Sequence, residues 1–185
     1  MRASSAKAAL RAELSAARRE RSAESIATAR AAIRAAVLAQ RATRGWACIA
    51  SYEPLRTEPG SPELLELLWR AGVRVLVPLL RPDRDLDWAE WDGTRAASGP
   101  AVGIDAINAA EAVLVPALAV ARDGTRLGRG GGSYDRALVR AGPGVPIAAL
   151  VYDDELRAEL PRDRWDVRVT AVVTPSGWQD LSATR

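Results

Sequence analysis

Apolar residues recur at helical spacing over the first forty positions and then gather into short runs, a change from helix to strand periodicity. Ile26, Ile33 and Val37 share one side of a helix that Ser22 can cap, and Ser4 or Ser5 can cap an earlier helix running to about Glu20. The chain is therefore expected to open with two helices. Trp46 to Ser51 reads as a short buried strand that leads into a polar, proline-bearing loop from Ser51 to Gly60. Ser61 followed by Pro62 starts a third helix, with Leu64, Leu65, Leu67 and Leu68 on its apolar face and Gly72 at its end. Val73 to Val77 reads as a buried strand stopped by Pro78, and Asp85 to Trp91 as an exposed strand carrying Leu86, Trp88 and Trp91.

A weakly patterned stretch from Asp92 to Ile107 follows, and then a strand over Ala112 to Val120. Next come a glycine-rich loop, a helix from about Ser133 to Arg140 and a strand at Ile147 to Val151. A short acidic helix near Asp153 to Leu160 and a strand at Ala171 to Thr174 end the pattern. Strand, helix, strand in alternation implies a parallel sheet. The expected fold class is α/β: a three-layer sandwich with a mainly parallel sheet and two N-terminal helices, forming one domain over residues 1–185.

Composition narrows the chemistry. With no histidine in the chain, Ser-His-Asp triads, Cys-His pairs and histidine-based zinc sites are excluded. The single cysteine, Cys48, falls in the apolar run Trp46 to Ala50 and reads as a small buried hydrophobe. Apolar runs such as Ala112 to Ala121 fall short of the ~20 residues of a membrane span, and the N-terminus has no apolar signal core, so a cytoplasmic protein is expected. The net charge is +3, and of the 26 basic residues only Lys7 is a lysine. Codon bias in a GC-rich genome accounts for the arginine and alanine richness. A lysine kept in that background is a candidate point-charge partner for phosphate.

In open α/β sheets ligands bind beyond the carboxyl ends of the strands, so the loops after Ser51, Val77, Val120 and Val151 are expected to line one crevice. One of them is the run DGTRLGRGGGSYDR from Asp123 to Arg136. Gly128, Gly130, Gly131 and Gly132 remove side chains where backbone amides must approach phosphate oxygens, and Arg126 and Arg129 add bidentate charge. The loop lacks the lysine of the P-loop, and Ser133 stands where the dinucleotide fingerprint requires glycine. It reads as a distinct strand-to-helix cradle for ATP. Ser133 is a good N-cap for the helix that follows. Asp135, in that helix's first turn, is suited both to the helix dipole and to magnesium on the phosphates; Asp166 is a second candidate ligand.

The chain resembles the 5-formyltetrahydrofolate cyclo-ligases, also called methenyltetrahydrofolate synthetases, nearly from end to end. The likeness is carried by the opening from Ser5 through Lys7 to Arg11, by Ser51 and Tyr52 leading to Glu58, and by the strand Val113 to Pro116. Above all it is carried by the run from Gly124 to Arg136. The resemblance implies that Lys7 and Arg11 reach ATP phosphates while Gly124, Arg126, Leu127, Gly128, Arg129, Gly130, Gly131, Gly132, Ser133 and Tyr134 wrap the nucleotide. It implies that Glu58, with Tyr52, Arg129 and Ser133, contacts the folate, that Arg129 is catalytic, and that Asp135 and Asp166 serve Mg2+. The chain departs from the family pattern at Ser133, often tyrosine, at Trp165, often histidine, and at Ala121 and Thr170, often aspartate.

The implied reaction is the ATP-dependent conversion of 5-formyltetrahydrofolate to 5,10-methenyltetrahydrofolate, ADP and phosphate. It consists of positioning two small molecules and stabilising phosphoryl charge, which needs neither histidine nor thiol. The expected partners are ATP and 5-formyltetrahydrofolate, for a monomer without membrane or nucleic-acid partners. A non-catalytic nucleotide- or RNA-binding module is the alternative, motivated by a sequence pI of about 9.6 and the arginine-rich first helices, though the aromatic-interleaved basic stripe that stacks bases is absent. A divergent paralogue acting on another substrate is a second alternative.

Overall fold

The computed structural model describes residues 2–94 and 99–181, with side chains from Ser5 onward. Residues 95–98, within the weakly patterned stretch, lie outside the described residues. Two helices open the chain, α1 (Arg2–Glu20) and α2 (Ala23–Arg44). Because α1 is already formed at Arg2, Ser4 and Ser5 lie inside it rather than at its cap. The α2 boundaries follow the expected chemistry. Ser22 accepts a hydrogen bond from the Ser25 amide, and Gly45 in the left-handed region, φ 73°, closes the other end with its amide on the Arg41 carbonyl.

Seven strands form the main sheet: β1 (Cys48–Ala50), β2 (Arg74–Leu80), β3 (Leu86–Glu90), β4 (Ala112–Pro116), β7 (Ile147–Leu150), β9 (Ala171–Thr174) and β10 (Gly177–Asp180). Their order is β10-β9-β7-β4-β1-β2-β3. The five central strands are parallel and both edge strands antiparallel to their neighbours. Between β1 and β2 runs α3 (Pro62–Arg70), started by Pro62 as expected. Strand residues alternate between two apolar clusters, Ile49 and Leu114 facing α2 and α3, Ala50 and Val113 facing the other way. On that second face lie α4 (Ser133–Leu138) and a 3-10 turn at Ile104–Ala109. The result is the expected three-layer α/β sandwich.

Several local expectations need correcting. Pro78 does not stop β2, because β1 pairs only as far as Leu76; beyond that point one side of β2 is unpaired and a missing N–H breaks no ladder bond there. The strand at Leu86–Glu90 is not exposed: Leu86, Trp88 and Trp91 are all buried, split between the two apolar clusters. Ala112 to Val120 is two strands, since the chain leaves the main sheet after Pro116. It re-forms as β5 (Ala119–Ala121) in a small second sheet with β6 (Arg126–Leu127) and β8 (Leu156–Arg157). The acidic segment is a 3-10 turn at Asp153–Glu155 leading into β8 rather than a helix reaching Leu160.

Helix α1 is fastened to the small sheet by charge as well as by Leu14. Arg18, 1 % exposed, donates from Nε and Nη2 to the two carboxylate oxygens of Glu155, both at 2.7 Å, and from Nη2 to the Ala117 carbonyl at 2.6 Å. Glu155 also accepts from the Tyr152 amide at 2.9 Å. Burial lowers the Arg18 pKa, but the Glu155 hydrogen bonds and charge more than offset that and leave it raised.

Candidate functional site

The loop after β1 supplies Glu58, β2 ends at Leu80 and β4 at Pro116, and all three residues line one cavity of about 450 Å³. It therefore lies at the carboxyl ends of parallel strands, where an open α/β sheet places its ligands. The glycine loop from Gly128 to Gly132 and the start of α4 form one wall; Lys7 and Arg11 of α1 form the next. Leu80 and Leu86 face them with an apolar wall, and Asp163 and Asp166 stand at the lysine end.

The glycine loop follows β6 and turns into α4. Gly130 and Gly132 hold φ of 98° and 71°, a backbone region open to glycine at little cost. Arg11 holds the loop from α1: its Nε donates to the Gly128 carbonyl at 2.9 Å, and a Cβ on Gly130 would lie 3.3 Å from its guanidinium carbon. The N-cap of α4 is Gly132, so Ser133 is the first helical residue and makes no side-chain cap bond; the capping expected of it is not used. Its side chain instead belongs to the cavity lining.

Two arginines of the loop are placed differently. Arg126 is buried, with Nη2 donating to Asp135 Oδ1 at 2.8 Å and its guanidinium 5.8 Å from the Tyr134 ring centre. Arg129 keeps a half-exposed side chain and donates from Nε to Glu58 Oε1 at 3.3 Å. Glu58 is itself fixed, Oε2 accepting from the Leu55 amide at 2.9 Å while Arg30 holds its carbonyl at 3.1 Å. Glu58, Arg129 and Tyr134 also line a neighbouring cavity of about 310 Å³ that includes Tyr52. Burial pushes the Tyr134 and Tyr52 phenols upward, with the Glu58 charge adding to both, so each ring presents a neutral hydroxyl.

Lys7 is buried and lies in the cavity lining, yet its ammonium is taken by carboxylates, 2.8 Å from Asp163 Oδ2 and 2.5 Å from Asp166 Oδ2. Burial lowers its pKa, but the hydrogen bonds to Asp163 and Asp166 outweigh that, so it is raised and the side chain stays charged. Asp135 Oδ1 accepts from Arg126 and from the Val167 amide at 3.2 Å, which sets Asp135 beside the segment carrying Asp166. Each of these two carboxylates keeps its other oxygen, Oδ2 of Asp135 and Oδ1 of Asp166, without a hydrogen bond to protein among the described residues. No group of three or more Cys, Asp or Glu able to hold a metal alone is found among them. Two such hard oxygens in the cavity lining suit magnesium, which takes one or two carboxylates and completes its shell from phosphate and water.

Leu127 and Gly124 stand apart from this lining. Leu127 packs with Leu14, Leu118 and Ala119, and Gly124 makes the turn before β6, where a Cβ would meet the Val169 carbonyl oxygen. Sequence reasoning missed Asp163, Leu80, Leu86 and the segment Pro116 to Leu118. Asp163 had a signal, an acid three residues before Asp166 where a turn brings both to one cation. The leucines had none, because a cavity-facing leucine reads like a core one.

A family model described as the 5-formyltetrahydrofolate cyclo-ligase family matches residues 3–175 of the chain. A 5-formyltetrahydrofolate cyclo-ligase of Mycolicibacterium smegmatis is 39% identical over 156 residues, covering 72% of this chain and 80% of the relative. One from Escherichia coli K12 is 32% identical over 136 residues, covering 66% and 72%. The solved 5,10-methenyltetrahydrofolate synthetase of Mycoplasma pneumoniae superposes with a TM-score of 0.79 at 22% identity, over 91% of this chain and 98% of that one. That of Aquifex aeolicus superposes with a TM-score of 0.73 at 22% identity, over 97% and 94%. The fold is thus shared with solved synthetases, and by sequence the chain belongs to the 5-formyltetrahydrofolate cyclo-ligase family.

Proposed function

We propose that the protein converts 5-formyltetrahydrofolate and ATP into 5,10-methenyltetrahydrofolate, ADP and phosphate. One observation carries the reading: Arg129 joins the glycine loop to Glu58 within a single cavity, so a phosphate cradle and a carboxylate able to accept from a pterin's N–H groups face the same space. The formyl oxygen attacks the terminal phosphorus and ADP leaves; nitrogen 10 then attacks the activated carbon, loses its proton, and phosphate departs with the former formyl oxygen.

The backbone amides of Gly128 to Gly132, with Arg11 and Arg129, hold the phosphates and stabilise the charge that moves onto the leaving ADP. Lys7 adds field from behind its two carboxylates. Asp135 and Asp166 would hold Mg2+, which neutralises phosphate oxygens when bound. Glu58 and Ser133 meet the pterin side, Leu80 and Leu86 the aromatic rings, and Tyr52 the adjoining cavity. The reading is of one domain over the chain, acting as a cytoplasmic monomer. Among the described residues no helix is long and apolar enough to cross a membrane.

Mixing the protein with Mg-ATP and 5-formyltetrahydrofolate should produce the methenyl chromophore, and omission of any component should abolish it. ATP consumption without that chromophore would overturn the reading.

A further inference from the structure

The apolar wall of the cavity is a β-hairpin, β2 to β3, whose Leu80 and Leu86 pair with each other and both line the cavity. Its tip, residues 81–85, is not left to solvent alone. Arg140, just beyond α4, grips Asp85 in a fork, Nη2 to Oδ1 at 2.7 Å and Nη1 to Oδ2 at 3.2 Å, while its Nε donates to the Ile104 carbonyl at 3.2 Å. Both side chains are about four-fifths buried, 20% and 18% exposed. The Arg140 hydrogen bond also holds the Asp85 carboxyl below its ordinary value. One helical turn earlier, Arg136 Nη1 reaches the Arg84 carbonyl at 3.3 Å and the Gly131 carbonyl at 3.5 Å, touching hairpin and glycine loop together.

One short helix and the turn after it thus carry the glycine loop at one end and the hairpin on two arginines. The strands of the hairpin also pack on this helix, Leu86 and Trp88 sharing a buried cluster with Ala137 and Leu138, but near the tip Leu80 is 70% exposed and the arginines are the ties. Resting on the function proposed above, we infer that Asp85 and Arg140 are positioning residues that tie the hairpin wall to the glycine loop, so that nucleotide and folate bind cooperatively. When phosphates set the glycine loop and the start of α4, the Arg136 contacts and the Arg140–Asp85 fork set the tip of the wall that meets the folate rings with it. The cost of ordering the wall then falls on the first ligand and not on the second.

The test measures the dissociation constant of 5-formyltetrahydrofolate by calorimetry on the full chain, with and without a non-hydrolysable ATP analogue and Mg2+. The nucleotide should tighten folate binding at least about 5-fold in the unaltered protein, the lower end of ordinary coupling. Arg140→Met and Asp85→Asn should each lower that ratio at least about 2-fold, with nucleotide affinity in the absence of folate unchanged. The double variant should lose no more than either single one, and Asp85→Arg with Arg140→Asp should recover part of the coupling. An unaltered ratio in both single variants, a ratio near one in the unaltered protein, or parallel weakening of both ligands would overturn the inference. Failure of the unaltered protein to form the methenyl product would sink the proposed function instead, and the inference with it; normal turnover with unaltered coupling in the variants sinks the inference alone.

Discussion

Arg129 Nε lies 3.3 Å from Glu58 Oε1, so the glycine loop and the loop after β1 are joined by one ion pair in the cavity lining. The pair is lopsided. Glu58 is buried and held by the Leu55 amide, whereas Arg129 is half exposed and free to turn toward a phosphate. Arg129→Ala is therefore expected to leave the melting temperature nearly unchanged, and to lower turnover on the order of 10²-fold, as when one transition-state donor is removed. Methenyl formation beside a thermal melt checks both halves; near-normal turnover would remove Arg129 from catalysis.

Arg18 and Glu155 make the opposite prediction. Each is almost fully buried and they satisfy each other twice, so deleting one partner strands a charge. Arg18→Ala or Glu155→Ala should destabilise the protein by about 3–5 kcal/mol. Denaturant titration reads the loss, and replacing both partners together should cost less than the sum of the single changes.

Asp135→Asn and Asp166→Asn each remove a hard anionic oxygen from the cavity edge. Each is expected to move the magnesium dependence of turnover to higher concentration. An unaltered magnesium titration in either variant would take that residue out of the metal set and leave it as a structural acid, Asp135 for Arg126 or Asp166 for Lys7.

The Lys7 clasp has a calculable pH window. With a folded pKa raised above 10.5, Lys7 contributes stability that is complete below the unfolded value and lost as pH rises through the folded one. Asp163, lowered from 3.8 chiefly by its Lys7 hydrogen bond, contributes above that value and loses its part as pH falls through the folded pKa. The melting-temperature difference between the protein and Lys7→Met should thus be flat from ~pH 5 to ~pH 9 and shrink outside that range. A difference that changes near neutrality would show that another group holds the lysine.

Much of this was legible in the chain. Short apolar runs gave the parallel strands, Ser61 with Pro62 gave α3, and the glycine run gave the cavity wall. Pro78 misled because a proline's effect depends on whether a neighbouring strand is still paired beside it, which is tertiary information. The run Ala112 to Val120 hid its break at Pro116 because both halves are buried, in different sheets. β10 went unseen, since an edge strand of four residues with only Trp178 on its apolar side leaves too little alternation to read. Lys7 stands out as the one lysine in the chain, but its partners Asp163 and Asp166 lie 156 and 159 residues away, beyond any local pattern.

Lys7, Arg11, Leu14 and Arg18 fall on successive turns of α1, and each meets a different part of the chain: the acids at 163 and 166, the glycine loop, the small apolar cluster and Glu155. Among the described residues neither of the two larger apolar clusters includes an α1 side chain. The helix is therefore a strut laid over a sheet that does not need it for its own core. Clipping it by limited proteolysis should remove the 19 residues of α1 from the helical circular dichroism and leave Glu155 without its partner, yet spare both larger apolar clusters in an α/β body with no wall behind the phosphates, so that folding and ligand retention can be lost separately in one molecule.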